Sequence, residues 1–267
     1  MITRKNDPPR GVLKTAGSAR PFRHERYHPS TDLDAYVEHY WVVEWDLRGQ
    51  PPYRAETLPH PSVHMIFEAG GRSRIRGPAR AKFSRVLKGA GRVFAVKFTP
   101  AGFYPFTHAS VSRLTDKVVT LRSQFGAGAA PVARAINAAA SDTARIELVE
   151  AFLRTRRPEK DDEAIRLSAV VYAAAGDRTL VKVDDLVDRF GTNKRTLQRL
   201  FARHVGVSPK WVIQRYRLHE AAERLAAGSF DHAALASELG YSDQAHFARD
   251  FKTIVGLSPT AYERAAR

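Results

Sequence analysis

The sequence predicts an α+β protein, with a small β-sheet or barrel-like domain and following helices at the N-terminus, and a C-terminal domain that is helical throughout. Three observations carry this. From about Tyr27 to Phe98, β-branched and aromatic residues cluster in short runs separated by glycines. After Pro100, apolar residues recur at helical spacing. Near the C-terminus, residues 192–212 reappear fifty positions later as residues 242–262. At 267 residues the chain is long enough for two domains, each with its own core.

Residues 1–26 are polar, carry seven Lys and Arg side chains with Pro8, Pro9, Gly11 and Gly17, and show no sustained period, which reads as a flexible basic arm. The runs Tyr40 to Trp45, Val63 to Phe67 and Arg92 to Phe98 read as strands, with Gly70-Gly71, Gly77-Pro78 and Gly89-Ala90-Gly91 as turns. Val132, Ile136 and Ala139, then Ile146, Val149 and Leu153, mark the following helices. Together residues 27–156 form the N-terminal domain. The charged, proline-containing segment 157–164 reads as a linker, and residues 165–267 as the helical domain.

Composition narrows the function classes. There is no cysteine, which removes disulfides, thiolate zinc sites and cysteine nucleophiles. No apolar run reaches signal-peptide or membrane-span length, so the reading is a soluble, cytoplasmic protein with no membrane partner. A net charge of +15 favours a polyanionic partner, because basic surfaces gain affinity by releasing counterions from phosphates. About two-thirds of that excess lies in residues 1–177, so charge alone does not locate the binding surface.

The repeat locates it. Phe201 aligns with Phe251, Arg199 with Arg249, Val205 with Val255, and Gly206-Val207-Ser208-Pro209 with Gly256-Leu257-Ser258-Pro259. In each copy a short helix, Asp184 to Phe190 or Ala233 to Leu239, stops at a glycine suited to the left-handed conformation, Gly191 or Gly240. Asn193 or Ser242 can cap the next helix. That helix buries Leu197, Phe201 and Val205, or Phe247, Phe251 and Val255, spaced four and eight apart. Gly206 and Gly256 end it, Ser208 and Ser258 cap the following helix, and Pro209 and Pro259 occupy its first position, where a missing N–H is harmless.

Helix, glycine turn, helix is the arrangement in which a second helix enters the DNA major groove by its N-terminal residues. Its outer face carries Lys194, Arg195, Gln198 and Arg199 in the first copy, and Gln244, Ala248 and Arg249 in the second. Arginine can pair bidentately with guanine and glutamine with adenine, while Lys194 and Arg195 also suit phosphates. A helix from Pro209 to about Ala227 connects the units, with Trp211, Arg215, Leu218, Ala222 and Leu225 on one face. Arg215 completes the DNA-binding set.

These motifs resemble those of the AraC family of transcription regulators over roughly residues 165–266. Arg195-Thr196-Leu197-Gln198-Arg199-Leu200-Phe201 is similar to the family's first recognition helix, and Gly240 to Phe251 to its second unit, with Ala245 where relatives often have serine. The resemblance implies a seven-helix DNA-binding domain, binding to specific sites on double-stranded DNA, and usually activation, with RNA polymerase as a further partner. Ahead of it, Leu58-Pro59, Met65-Ile66-Phe67 and Phe98-Thr99-Pro100-Ala101-Gly102 resemble a poorly characterised N-terminal module. In the family this position hosts sensing of a small-molecule effector or homodimer formation, and no cofactor is implied.

Other constellations are read conservatively. His60, His64 and Glu68 share strand parity, but His60 precedes a proline, so a metal site is not inferred. Arg72 to Lys97 holds nine basic and no acidic residues; it reads as a solvated hairpin surface, with an anionic effector or added DNA affinity as alternatives. Tyr36, Tyr40, Trp41 and Trp45 read as core rather than pocket. An enzyme of the DNA-repair methyl-acceptor type, which carries a similar domain, needs an acceptor cysteine that this chain lacks. A DNA-associated adaptor acting mainly through protein partners is the alternative to a sequence-specific regulator.

Overall fold

The computed structural model describes residues 2–6, 11, 13, 21–156, 160–228 and 231–266. The chain opens with strands β1 (Phe22–Tyr27), β2 (Val37–Leu47), β3 (Tyr53–Thr57), β4 (His64–Glu68), β5 (Arg72–Arg76), β6 (Phe83–Leu87), β7 (Gly89–Phe98) and β8 (Val118–Thr120). Six of them make one antiparallel sheet in the order β1-β2-β7-β4-β5-β8, while β3 and β6 pair as a separate ribbon. Only Lys88 separates β6 from β7, so one nearly continuous extended segment passes from ribbon to sheet. Alternation along the strands sorts the side chains. Tyr40, Val42, Met65, Phe67, Ile75, Phe94, Val96 and Phe98 form a core with the helices, whereas Trp45, Ile66, Val93 and Ala95 face the ribbon.

The helices over the first face are α1 (Tyr104–Thr107), α2 (Leu121–Phe125), α3 (Ala129–Ala138) and α4 (Asp142–Arg154). Ile136, Ile146, Val149 and Leu153 are fully buried there, as their spacing required, and Ala139 lies just past the end of α3. Tyr40 Oη donates to Glu150 Oε1 at 3.1 Å, tying α4 to the centre of the sheet.

Three sequence expectations need correction. Phe22 to Arg26, expected in the basic arm, form with Tyr27 an edge strand: it pairs with β2 in full, and Arg23 reaches Glu44 at 3.0 Å and Asp142 at 2.9 Å. Its charges are matched by neighbours that the sequence does not place nearby. Lys5 N–H also donates to the Arg26 carbonyl at 2.8 Å; within the arm, residues 1, 7–10, 12 and 14–20 lie outside the described residues. Gly89-Ala90-Gly91 is not a turn but the start of β7, opposite Leu47, Asp46 and Trp45. A Cβ at Gly91 would lie 2.4 Å from the Trp45 indole, so the glycine makes room for that ring. Finally, Asp161 caps α5 (Asp162–Gly176) by accepting from Ala164 N–H at 2.9 Å, so the helix begins within the segment assigned as linker. The acidic residues there favour a helix N-terminus; residues 157–159 lie outside the described residues.

The remaining helices are α6 (Val183–Phe190), α7 (Lys194–Leu200) with a wider final turn over Phe201–Val205, α8 (Pro209–Ala227), α9 (His232–Glu238), α10 (Gln244–Val255) and α11 (Pro259–Ala266). They build two cores. Val212, Ile213 and Tyr216 of α8 join Leu186, Leu197, Phe201 and Val205 in the first. Leu218, Ala221, Ala222 and Leu225, further along the same helix, join Leu235, Phe247, Phe251 and Val255 in the second. Among the described residues, no helix is long and apolar enough to cross a membrane.

The N-terminal domain is docked on this pair through polar contacts at close crossings. Ala101 N–H donates to Ser168 Oγ at 3.1 Å and Asp161 N–H to Tyr36 Oη at 3.0 Å. Gly102 sits at the base of this junction, where a Cβ would come within 2.2 Å of the Tyr36 carbonyl oxygen. Gly102→Ala is therefore expected to destabilise the protein by about 1–3 kcal/mol, as overpacking of a rigid site does. Urea unfolding followed by near-ultraviolet circular dichroism would measure it; an unchanged midpoint would contradict the tight crossing.

Candidate nucleic-acid interface

Each unit is assembled by the same local hydrogen bonds. At the first turn Gly191 has φ +57°, and Thr192 N–H donates back to the Val187 carbonyl at 3.2 Å. At the second, Gly240 has φ +74°, and Tyr241 N–H donates to the Ala236 carbonyl at 2.9 Å. In both, the residue after the left-handed glycine satisfies a carbonyl five positions back, which ends the helix and aims the chain into the next one. Asn193 Oδ1 then accepts from Thr196 N–H at 2.9 Å, and Asp243 Oδ1 from His246 N–H at 2.7 Å. Asp243, not the expected Ser242, is the second cap. The repeat itself aligns Asn193 with Asp243, and Ser242 lies one residue too early, its hydroxyl donating to Asp243 Oδ2 at 3.2 Å.

The inner faces of α7 and α10 are buried as the four-residue spacing requires, with Leu197, Phe201, Val205, Phe247, Phe251 and Val255 all nearly inaccessible. Beyond them Gly206 and Gly256 share φ +88°, Ser208 Oγ accepts from Trp211 N–H and Ser258 Oγ from Ala261 N–H, both at 3.2 Å.

On the outer faces Lys194, Arg195, Gln198, Arg199, Gln244 and Arg249 are exposed and Ala248 is half-buried. Arg195, Arg199 and Arg249 form no ion pair among the described residues, whereas Lys194 Nζ reaches Asp184 Oδ1 at 2.7 Å across the turn. Seven of the eight predicted contact residues thus lie on α7 and α10. Arg215 does not join them. It is 2% exposed, its guanidinium lies 4.6 Å over the Trp211 ring and donates to the Arg80 carbonyl, and burial pulls its pKa down to about 10. Helical spacing puts Arg215 beside Trp211, but the N-terminal domain covers that face.

A second candidate site lies between the sheet and the β3–β6 ribbon, a cavity of about 450 Å³. Trp41, Trp45, Tyr53 and Phe83 line it, and Tyr172 of α5 and Tyr216 of α8 close it on the helical side. Tyr36 and Tyr40 are core residues, as expected; Trp41 and Trp45 face the cavity, so for these two the pocket and not the preferred core reading holds. The basic run is likewise not a solvated surface throughout, since its Arg74, Arg76, Arg85 and Lys97 also line this space. His60, His64 and Glu68 have separate roles: His60 packs at 4.8 Å from His219, His64 Nδ1 accepts from Trp41 Nε1–H at 3.2 Å, and Glu68 pairs with Arg74 and Arg85.

Residues 186–265 match a family described as a helix-turn-helix domain, and residues 25–120 a domain of unknown function, DUF6597. The chain is 33% identical over 108 residues to the HTH-type transcriptional activator AarP of Providencia stuartii, a match covering 40% of this chain and 80% of AarP. It is 33% identical over 81 residues to the HTH-type transcriptional activator RhaS of Pectobacterium carotovorum, covering 30% of this chain and 29% of RhaS. Across the first three curated relatives the match spans only 28% to 35% of their length. A solved structure of ToxT from Vibrio cholerae aligns over 85% of this chain and 97% of its own at 14% identity, with a TM-score of 0.41.

The caps give a direct check on the duplicated geometry. Asn193→Ala and Asp243→Ala are each expected to lower stability by about 1 kcal/mol, whereas Ser242→Ala changes it by less than about 0.5 kcal/mol. Thermal unfolding of the three variants would show the order, and a Ser242→Ala loss equal to that of Asp243→Ala would contradict the assignment of the second cap.

Proposed function

Because the chain belongs to the AraC family of transcription regulators, we propose that it binds specific promoter sites, reading two adjacent major-groove segments with α7 and α10, and activates transcription there. The observation that carries this reading is the sharing of α8 between both cores, which holds two like-built recognition helices in one rigid body. At nineteen residues α8 is about 28 Å long, on the scale of one duplex turn of roughly 34 Å. Arg199, Gln198, Gln244, Ala248 and Arg249 serve base edges in this reading, and Lys194 and Arg195 the phosphates.

The domain assignment that accompanies it gives residues 165–267 to DNA and 27–156 to sensing or oligomerisation. Activation brings RNA polymerase as a partner, supported by the activator roles of AarP and RhaS, and the family pattern adds a second copy of the chain. The cavity beside Trp41 and Trp45 is the place for a small-molecule effector, being of ligand size and walled partly by α5 and α8 of the DNA-binding half.

Selection of bound genomic fragments, followed by footprinting, should reveal one site protected over two successive major-groove segments. Arg199→Ala and Arg249→Ala should each weaken specific binding by about 1–3 kcal/mol and relax base preference in a different segment. Unchanged specificity in both variants would overturn the contact assignment, and binding without any sequence preference would favour an adaptor. Arg215→Met, by contrast, should leave the salt dependence of binding unaltered, since a buried guanidinium releases no counterion from a phosphate.

A further inference from the structure

The floor of the cavity is a row of basic side chains laid across four strands. In register, His39 of β2 stands opposite Lys97 of β7, Lys97 opposite His64 of β4, and His64 opposite Arg76 of β5, and all four line the cavity. Neighbours directly across a sheet face lie about 5 Å apart, so the row is contiguous. An irregularity in β2 between Val37 and His39 lets Glu38 reach the same space. Lys97 Nζ bonds Glu38 Oε1 at 2.8 Å, and Tyr172 Oη of α5 donates to Glu38 Oε2 at 3.3 Å.

The charges in this row do not balance. Burial would raise the Glu38 carboxyl, yet Lys97 and His39 hold it well below its ordinary range, so it is a carboxylate. Burial, reinforced by Lys97, pushes His39 down to about 4 and His64 to about 3, leaving both rings neutral near pH 7. Glu38 therefore offsets Lys97, and among the described residues no counter-charge is left for Arg76. The Arg76 guanidinium is half-buried 4.7 Å over the Phe83 ring, and no carboxylate among the described residues pairs with it; Glu68 is taken by Arg74 and Arg85. Burial and then Arg74 and Arg85 lower its affinity for the proton, the sign of a cation short of counter-charge. Because Trp41 occupies His64 Nδ1, the remaining ring donor is Nε2–H.

Resting on the reading of this cavity as the effector site, we propose that its ligand is a small aromatic carboxylate, the anion held by Arg76 with His64 beside it and the ring packed among Trp41, Trp45 and Tyr53. A guanidinium matches a carboxylate bidentately, and a desolvated, unmatched one gains most from a ligand that supplies the missing charge. The walls select the rest of the molecule: aromatic faces suit a flat apolar body and offer few partners for a polyhydroxylated one. Through Glu38 and Tyr172 the same row touches α5, so occupancy is felt in the DNA-binding half.

The test uses the full-length protein and calorimetric titration with benzoate, cinnamate and indole-3-acetate, each beside its neutral primary amide. The expected result is that at least one carboxylate binds, about ten-fold or more tightly than its amide. Arg76→Gln should remove that advantage while leaving amide affinity unchanged, and Arg76→Lys should restore part of it. Acid and amide binding equally to the wild type, or full carboxylate affinity in Arg76→Gln, would overturn the carboxylate assignment and leave the cavity as an effector site. Binding of neither kind at millimolar concentration would overturn both. Should Arg76→Gln fail to fold, the comparison of acid with amide in the wild type still decides.

Discussion

The structure of the C-terminal half depends on one helix serving two cores. Val212, Ile213 and Tyr216 near the start of α8 are buried with the first repeat, and Leu218, Ala221, Ala222 and Leu225 with the second. Neither repeat could bury its apolar face alone, since each recognition helix offers only three large buried apolar side chains, Leu197, Phe201 and Val205 or Phe247, Phe251 and Val255. Packing both against one continuous helix resolves this and fixes the relation between α7 and α10. Two recognition helices on a flexible connection would sample many separations, whereas these have one.

The N-terminal domain meets this rigid body at the far ends of both recognition helices. Thr115 Oγ1 donates to the Gly206 carbonyl at 2.6 Å, and Ser110 Oγ to the Ala202 carbonyl at 3.2 Å, at the end of the first. Lys82 Nζ donates to the Val255 carbonyl at 2.9 Å at the end of the second. Helix C-termini carry unsatisfied carbonyls and the negative end of the dipole, so a lysine and two hydroxyls are fitting partners there. Lys82 also pairs with Glu56 of the ribbon that walls the cavity. A continuous set of contacts therefore runs from the cavity wall to α10, and another, through Glu38 and Tyr172, to α5.

What was legible in the sequence was what short-range bonding specifies. The glycine stops and the caps at Asn193, Ser208 and Ser258 follow from residues within five positions of one another, the buried triplets from a four-residue period, and all stand where the repeat puts them. The second cap shows the limit even there, because Ser242 and Asp243 are both good capping types and only the start of α10 separates them. Within the strands, the parity of Tyr40, Met65, Phe94 and Val96 was readable, but not which face would meet the ribbon. A basic side chain such as Arg76 looks identical in sequence whether its face turns to water or to a cavity.

By itself, then, the sequence determined that residues 192–262 fold as two copies of one unit with matched glycine stops and buried faces, because each piece is fixed by local hydrogen bonds and helical period. Only the tertiary structure decided that Arg215 is covered, that Phe22–Tyr27 is a strand, and that Arg76, His64 and Lys97 form one floor. Those outcomes depend on partners far away in the chain: Arg80 for Arg215, Tyr40 to Trp45 for the first strand, and four strands drawn from residues 37–98 for the cavity. Long-range pairing is set by which surfaces can be buried together, and a local pattern carries no record of that choice.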